Sequence, residues 1–181
     1  MTATSSTRHV FTPKQPVADV LGAHVLGVPA ENTNDLVAAI EEGLPFKSFE
    51  NVASALFMVV GITALISTTL SANKGNTKKA AESLWIAGLS LAVLIGMSES
   101  TYQRRKKENK LTPSESDSVY RYAALLERAK TVFGNDEKAR IWLNSPVRAL
   151  GNHIPLEYAR TEPGVNLVMQ ILGRLEHGSY S

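Results

Sequence analysis

The stretch from Pro113 to Gly134, PSESDSVYRYAALLERAKTVFG, decides the fold class of this 181-residue chain. Pro113 and Ser114 open a helix, because a proline's fixed φ suits the first helical turn. Val119, Tyr122, Ala123, Leu126 and Phe133 follow at helical spacing and fall on one face. Arg121, Glu127, Arg128 and Lys130 supply the polar positions, and Gly134 is the stop signal. No convincing strand pattern competes anywhere in the chain, and no internal repeat is present. The predicted fold class is therefore all-α.

Downstream, the same punctuation continues. Asn135 can cap a short helix that buries Ala139 and Trp142 and stops at Ser145–Pro146. Leu150–Gly151–Asn152–His153 reads as a turn, and Pro155 can open one helical turn containing Leu156 and Ala159. Thr161 caps a last helix striped by Val165, Val168, Ile171, Leu172 and Leu175. That stripe is expected to pack on Trp142 and the Val119–Phe133 helix. Arg174, Glu176, His177 and Tyr180 then project beyond it, with Gly178 allowing a sharp turn.

Upstream, residues 1–33 read as a flexible arm with one short helical turn around Val17–Leu21. Its first part, Met1 to Gln15, has no apolar stretch of signal-peptide length. Asn34 or Asp35 caps a helix through Leu36, Val37 and Ile40, ending at Gly43. Leu44–Pro45–Phe46 is a connector. Ser48 caps the next helix, with Phe49, Val52, Ala53 and Leu56 on one face.

The formal net charge of +2 demands no acidic partner. The placement of charge says more: Arg104, Arg105, Lys106, Lys107 and Lys110 crowd into seven positions. The absence of cysteine excludes disulfides, thiolate zinc sites and a cysteine nucleophile, and fits a reducing cytoplasm. Of the four histidines, His9, His24, His153 and His177, no two stand at i, i+4. There is no phosphate-cradling glycine loop and no GxSxG elbow. These patterns point to a binding protein without cofactor, metal or catalytic residue.

Residues 89–110 carry a candidate helix-turn-helix. Ala92 lies four residues before Gly96, giving the small contact and the left-handed turn that two crossing helices need. Ser98 would cap the second helix. Ser98, Ser100, Thr101, Gln103 and Arg104 would then offer hydroxyl, amide and guanidinium groups to base edges and phosphates, and Lys106 and Lys107 would add phosphate contacts. A helical hairpin with a solvated basic end has the same pattern, and such a motif can also serve as a dimer contact. Arg105 falls where many such motifs bury an apolar residue.

Val52–Asn73 carries no charge and exceeds the roughly 20 residues that span a bilayer. It is diluted by Ser54, Gly61, Thr63, Ser67, Thr68, Thr69 and Ser71, and the second apolar run, Leu84–Met97, is short. A membrane hairpin is the weaker reading beside two helices buried in a core or a dimer contact.

From Leu126 to Tyr180 the chain resembles the C-terminal domain of the Xre/MbcA/ParS antitoxin family. The resemblance rests on Ala129–Val132–Phe133–Gly134, Lys138–Asn144 with its Trp142–Leu143–Asn144, Pro146, Ala149–Leu150–Gly151, Pro155–Leu156, Thr161–Glu162–Pro163–Gly164 and Leu172–Gly173–Arg174–Leu175–Glu176–His177–Gly178. Upstream, Leu89–Lys110 resembles the family's Xre-like helix-turn-helix and Leu111–Arg128 its connecting helix. About thirty residues, roughly 57–88, intervene where the family runs from one helix almost directly into the next, and read as an insertion.

The resemblance implies an antitoxin that binds a cognate toxin of the RES or ParT type, which consumes NAD or transfers ADP-ribose. It implies occlusion of the toxin's active site and repression of its own operon as a homodimer in the cytoplasm. Residues 34–112 would form the helix-turn-helix region and 113–181 the toxin-binding domain. The toxin would be met by Trp142, Asn144, Arg174, Glu176, His177, Gly178, Ser179 and Tyr180. A DNA-binding repressor with no primary toxin role is the alternative.

Overall fold

The computed structural model describes residues 23–30, 32–69 and 87–178. The described residues form helices and no strand, with two isolated bridges, Pro45–Lys110 and Val147–His153. In chain order the helices are α1 (Ala23–Leu26), α2 (Thr33–Glu42), α3 (Phe46–Thr69), α4 (residues 87–94), α5 (Glu99–Glu108), α6 (Pro113–Phe133), α7 (Asp136–Leu143), α8 (Pro155–Tyr158) and α9 (Glu162–Glu176). A 3-10 turn, Arg148–Leu150, links α7 to α8.

The helix that the sequence singled out is the centre of the fold. α6 begins with a full capping box: the Thr112 hydroxyl accepts from the Glu115 N–H, and the Glu115 carboxylate accepts from the Thr112 N–H. It ends on left-handed Gly134. Val119, Tyr122, Ala123, Leu125, Leu126 and Ala129 are buried along it. It packs against α1, α2, α3, α7 and α9, so a single contiguous core joins its two ends.

Caps at Asn135 and Thr161 form as their sequence signals predict, each side chain accepting an N–H three residues on. Two expected caps are corrected. Asn32, rather than Asn34 or Asp35, caps α2 through the Asp35 N–H. Ser48 caps nothing: α3 already starts at Phe46, whose N–H donates to the Asn109 carbonyl, so long-range backbone pairing sets the helix start. Ser48 is buried within the first turn. The stretch read as an arm contributes α1, with Val25, Leu26 and Ala30 buried; the turn expected at Val17–Leu21 lies outside the described residues.

α3 buries Phe49, Val52, Ala53 and Leu56 and then continues without a break to Thr69. The stretch that reads as an insertion thus begins as an extension of a core helix. Among the described residues no helix is long and apolar enough to cross a membrane.

Candidate functional site

α4 and α5 form the helix-turn-helix. The turn passes through Ile95, Gly96 and Met97, with Gly96 at φ 74°, a left-handed conformation that costs a side chain and not glycine. Ser98 caps α5, accepting from the Thr101 N–H at 3.2 Å. Ala92 is buried where expected. One turn earlier, Gly88 faces the Tyr102 side chain, and a Cβ there would stand 2.7 Å from the Tyr102 hydroxyl. Tyr102 is the pin of α5. It is buried edge-on against Phe46 and Phe49, with ring centroids 5.3 and 5.7 Å away.

With Tyr102 inward, helical periodicity turns Ser100, Arg104 and Lys107 to the opposite face and Gln103 to its flank, and all four are exposed. Lys106, one turn after Tyr102 and on its side of the helix, is exposed near the helix end. Ser98 and Thr101 also serve the cap: the Ser98 hydroxyl lies 2.9 Å from the Thr101 hydroxyl and 3.0 Å from that of Ser100. The α5 surface therefore offers an amide, a guanidinium and two ammonium groups, the set that contacts phosphates and base edges.

Arg105 turns inward. Its Nε donates to the Glu115 carboxylate at 2.8 and 3.1 Å, and a terminal nitrogen donates to Glu108 at 2.8 Å. Its side chain and that of Glu115 are only 16% and 18% exposed. Burial pushes the Glu115 pKa up, but the Thr112 N–H, Arg105 and the Thr112 hydroxyl outweigh it and hold the group below its ordinary value. The sequence flags Arg105 as out of place; its partner, ten residues on, is legible only through the capping box.

At the other end of the molecule, Val165, Val168, Ile171 and Leu172 are buried and fix α9 on α6. Arg174 is exposed, and no ion pair involves it among the described residues. His177 caps the helix through its backbone N–H and is exposed, and Gly178 takes φ 64°, the turn its sequence position predicts. Glu176 is held by Arg128 of α6. Ser179 and Tyr180 lie outside the described residues.

Trp142 and Asn144 sit apart from that end of α9 in their bonding. Trp142 is half-buried against Phe133 at 5.7 Å. Asn144 donates to the Arg140 carbonyl at 2.9 Å and to the Leu56 carbonyl of α3 at 3.2 Å. It lines a groove of about 470 Å³ with Phe57, Leu89, Val93, Leu94 and Leu156. Tyr122 braces the same region, its hydroxyl 3.4 Å from the Leu156 carbonyl and 3.5 Å from that of Leu94.

Comparisons with known proteins fall on these two regions. Residues 90–124 match the antitoxin Xre-like helix-turn-helix domain, and residues 128–178 match the antitoxin Xre/MbcA/ParS C-terminal toxin-binding domain. A protein of Photorhabdus laumondii named Antitoxin Xre is 30% identical over 174 residues, covering 95% of this chain and 99% of that protein. A Yersinia enterocolitica protein of the same name is 36% identical over 85 residues, covering 46% of this chain and 57% of the other. One from Pseudomonas putida is 31% identical over 75 residues, covering 41% and 47%.

Proposed function

The chain belongs to the Xre family of antitoxins, and from that membership we propose that it neutralises a cognate toxin by binding it with the last turn of α9 and the tail beyond. The observation that carries this reading is the contrast within α9. Its buried stripe is locked on α6, while Arg174, His177 and Gly178 project from its end. A guanidinium anchored on a rigid element is a typical interface hot spot. The exposed guanidinium of Arg174 is the group that this end of α9 offers to a carboxylate or carbonyl of the partner. The toxin is of the RES or ParT type, and the antitoxin acts by occlusion, without catalysis, in the cytoplasm.

Ending the chain after Glu176 is the direct test, because it keeps the buried stripe and the Arg128–Glu176 pair. The shortened protein is expected to keep its helical content and unfolding midpoint yet fail to rescue cells expressing the toxin. Full rescue by a folded truncation, also carrying Arg174→Ala, would overturn the reading.

The α5 face favours a second role in the same protein. We propose that residues 34–112 bind operator DNA as part of a homodimer and repress the operon, while 113–181 serve the toxin. Gln103 and Arg104 read the groove, and Lys106 and Lys107 hold phosphates. Binding to a duplex from upstream of the chain's own coding sequence is expected to weaken steeply with salt. Lys106→Gln plus Lys107→Gln should reduce the salt slope by about two. An unchanged slope sinks this assignment.

A further inference from the structure

Arg105 belongs to the basic run of α5 yet faces away from the surface which that run forms. Its guanidinium is committed to two carboxylates, and one of them, Glu115, is the capping-box residue of α6. Glu115 thus serves two helices at once. It closes the first turn of α6 through Thr112, and it receives the one α5 guanidinium that turns inward. The other anchors of α5 are Tyr102, buried between Phe46 and Phe49, the Ser98 cap at its start, and the Asn109 carbonyl at its end, which accepts from the Phe46 N–H. The Arg105–Glu115 pair ties a side chain of α5 directly to the capping residue of α6, with Nε donating to both carboxylate oxygens.

We propose that Arg105 is a positioning residue for DNA recognition: it touches no DNA, and with Glu115 it sets the angle at which α5 leaves α6. This rests on the DNA-binding role proposed above. It separates Arg105 from Arg104, its neighbour of identical chemistry, on geometry alone. It also assigns Glu115, an acid near a phosphate-seeking surface, a favourable part in binding. Simple charge counting gives Glu115 the opposite sign, since removing an anion from such a surface should strengthen attraction to a polyanion.

The experiment uses the full chain and the duplex from upstream of its coding sequence, titrated across salt concentrations. Arg105→Gln is expected to weaken binding about tenfold, as loss of a partly buried charged hydrogen bond would, while leaving the salt slope as it was. Lys107→Gln should lower the slope by about one, and Arg104→Gln should relax the preference for the duplex's own sequence. Glu115→Gln should also weaken binding. In the absence of DNA, Arg105→Gln should speed amide exchange over residues 99–108 more than over 120–130. A slope that falls by about one in Arg105→Gln makes Arg105 a phosphate contact and overturns the proposal, as does tighter binding by Glu115→Gln or unchanged exchange in α5. No binding by the unsubstituted chain overturns the DNA reading, and the positioning role falls with it. Faster α5 exchange in that case still shows the clamp to be a structural tie.

Discussion

Asn144 shows what a single side chain can reveal about a site. The resemblance places it among residues that meet a toxin, yet its amide donates inward to two carbonyls, one of them 88 positions away. Asn144→Ala removes the side-chain donor that ties α3 to the end of α7 and is expected to cost about 1 kcal/mol of stability. Thermal unfolding checks that figure, and a toxin affinity unchanged at a temperature where the variant is folded would place Asn144 outside the contact. Tyr122 is a second such tie. Burial pushes its hydroxyl up to about 12, and nearby Arg160 and Arg121 pull only partly against this. The neutral form is favoured in the folded state, so its contribution is complete below about pH 10 and is lost as pH rises toward about 12. Tyr122→Phe should cost about 1 kcal/mol near neutrality and remove that alkaline loss, both measurable by denaturant titration. Neither tie is legible in the sequence, because nothing local to Asn144 or Tyr122 points to Leu56 or Leu94. Ser98, Gly96 and Gly178 are legible, because a cap or a left-handed turn is decided by neighbours within a few residues.

At the scale of elements, the same distinction decides which boundaries the sequence predicts. α6, α7 and α9 start and stop on their own caps, so local chemistry suffices. The start of α3 is set by Asn109, more than sixty positions on, and Ser48 is a false signal for that reason. α1 is too short to show a period and is held by what it buries. The junction of α5 with α6 carries an acid-sensitive element. Glu115 titrates below its ordinary value in the folded chain, so its contribution is present above the normal glutamate range and fades as pH falls through that range and below it. Acid should therefore release α5 before it melts the buried middle of α6, which does not depend on that carboxylate. Amide exchange by segment at falling pH checks this order, and Glu115→Gln should abolish it. Gly88→Ala tests the other α5 contact: the added methyl meets the Tyr102 hydroxyl, and overpacking there should cost about 1–3 kcal/mol.

At the scale of the molecule, the all-α class and the order of its two regions are legible in the sequence, while their fusion is not. The helix-turn-helix match ends at residue 124 and the toxin-binding match starts at 128, so both limits fall inside α6. Periodicity shows α6 to be a helix and cannot show that α2 and α3 meet it as well as α7 and α9. Heat or denaturant should then unfold the described core in one step, with circular dichroism and tryptophan fluorescence giving one midpoint. Two separated midpoints would mean that the halves fold independently. The shared helix also constrains how such proteins can trade specificities. Recombination between relatives has no flexible joint at which to exchange one half for another. A crossover has to fall within α6 and keep its phase, since one residue gained or lost swings everything beyond it by about 100°. Hybrids joined in register inside that helix should be viable, and those spliced out of register should not, so partner choice in this lineage is expected to drift by substitution on fixed faces more than by shuffling.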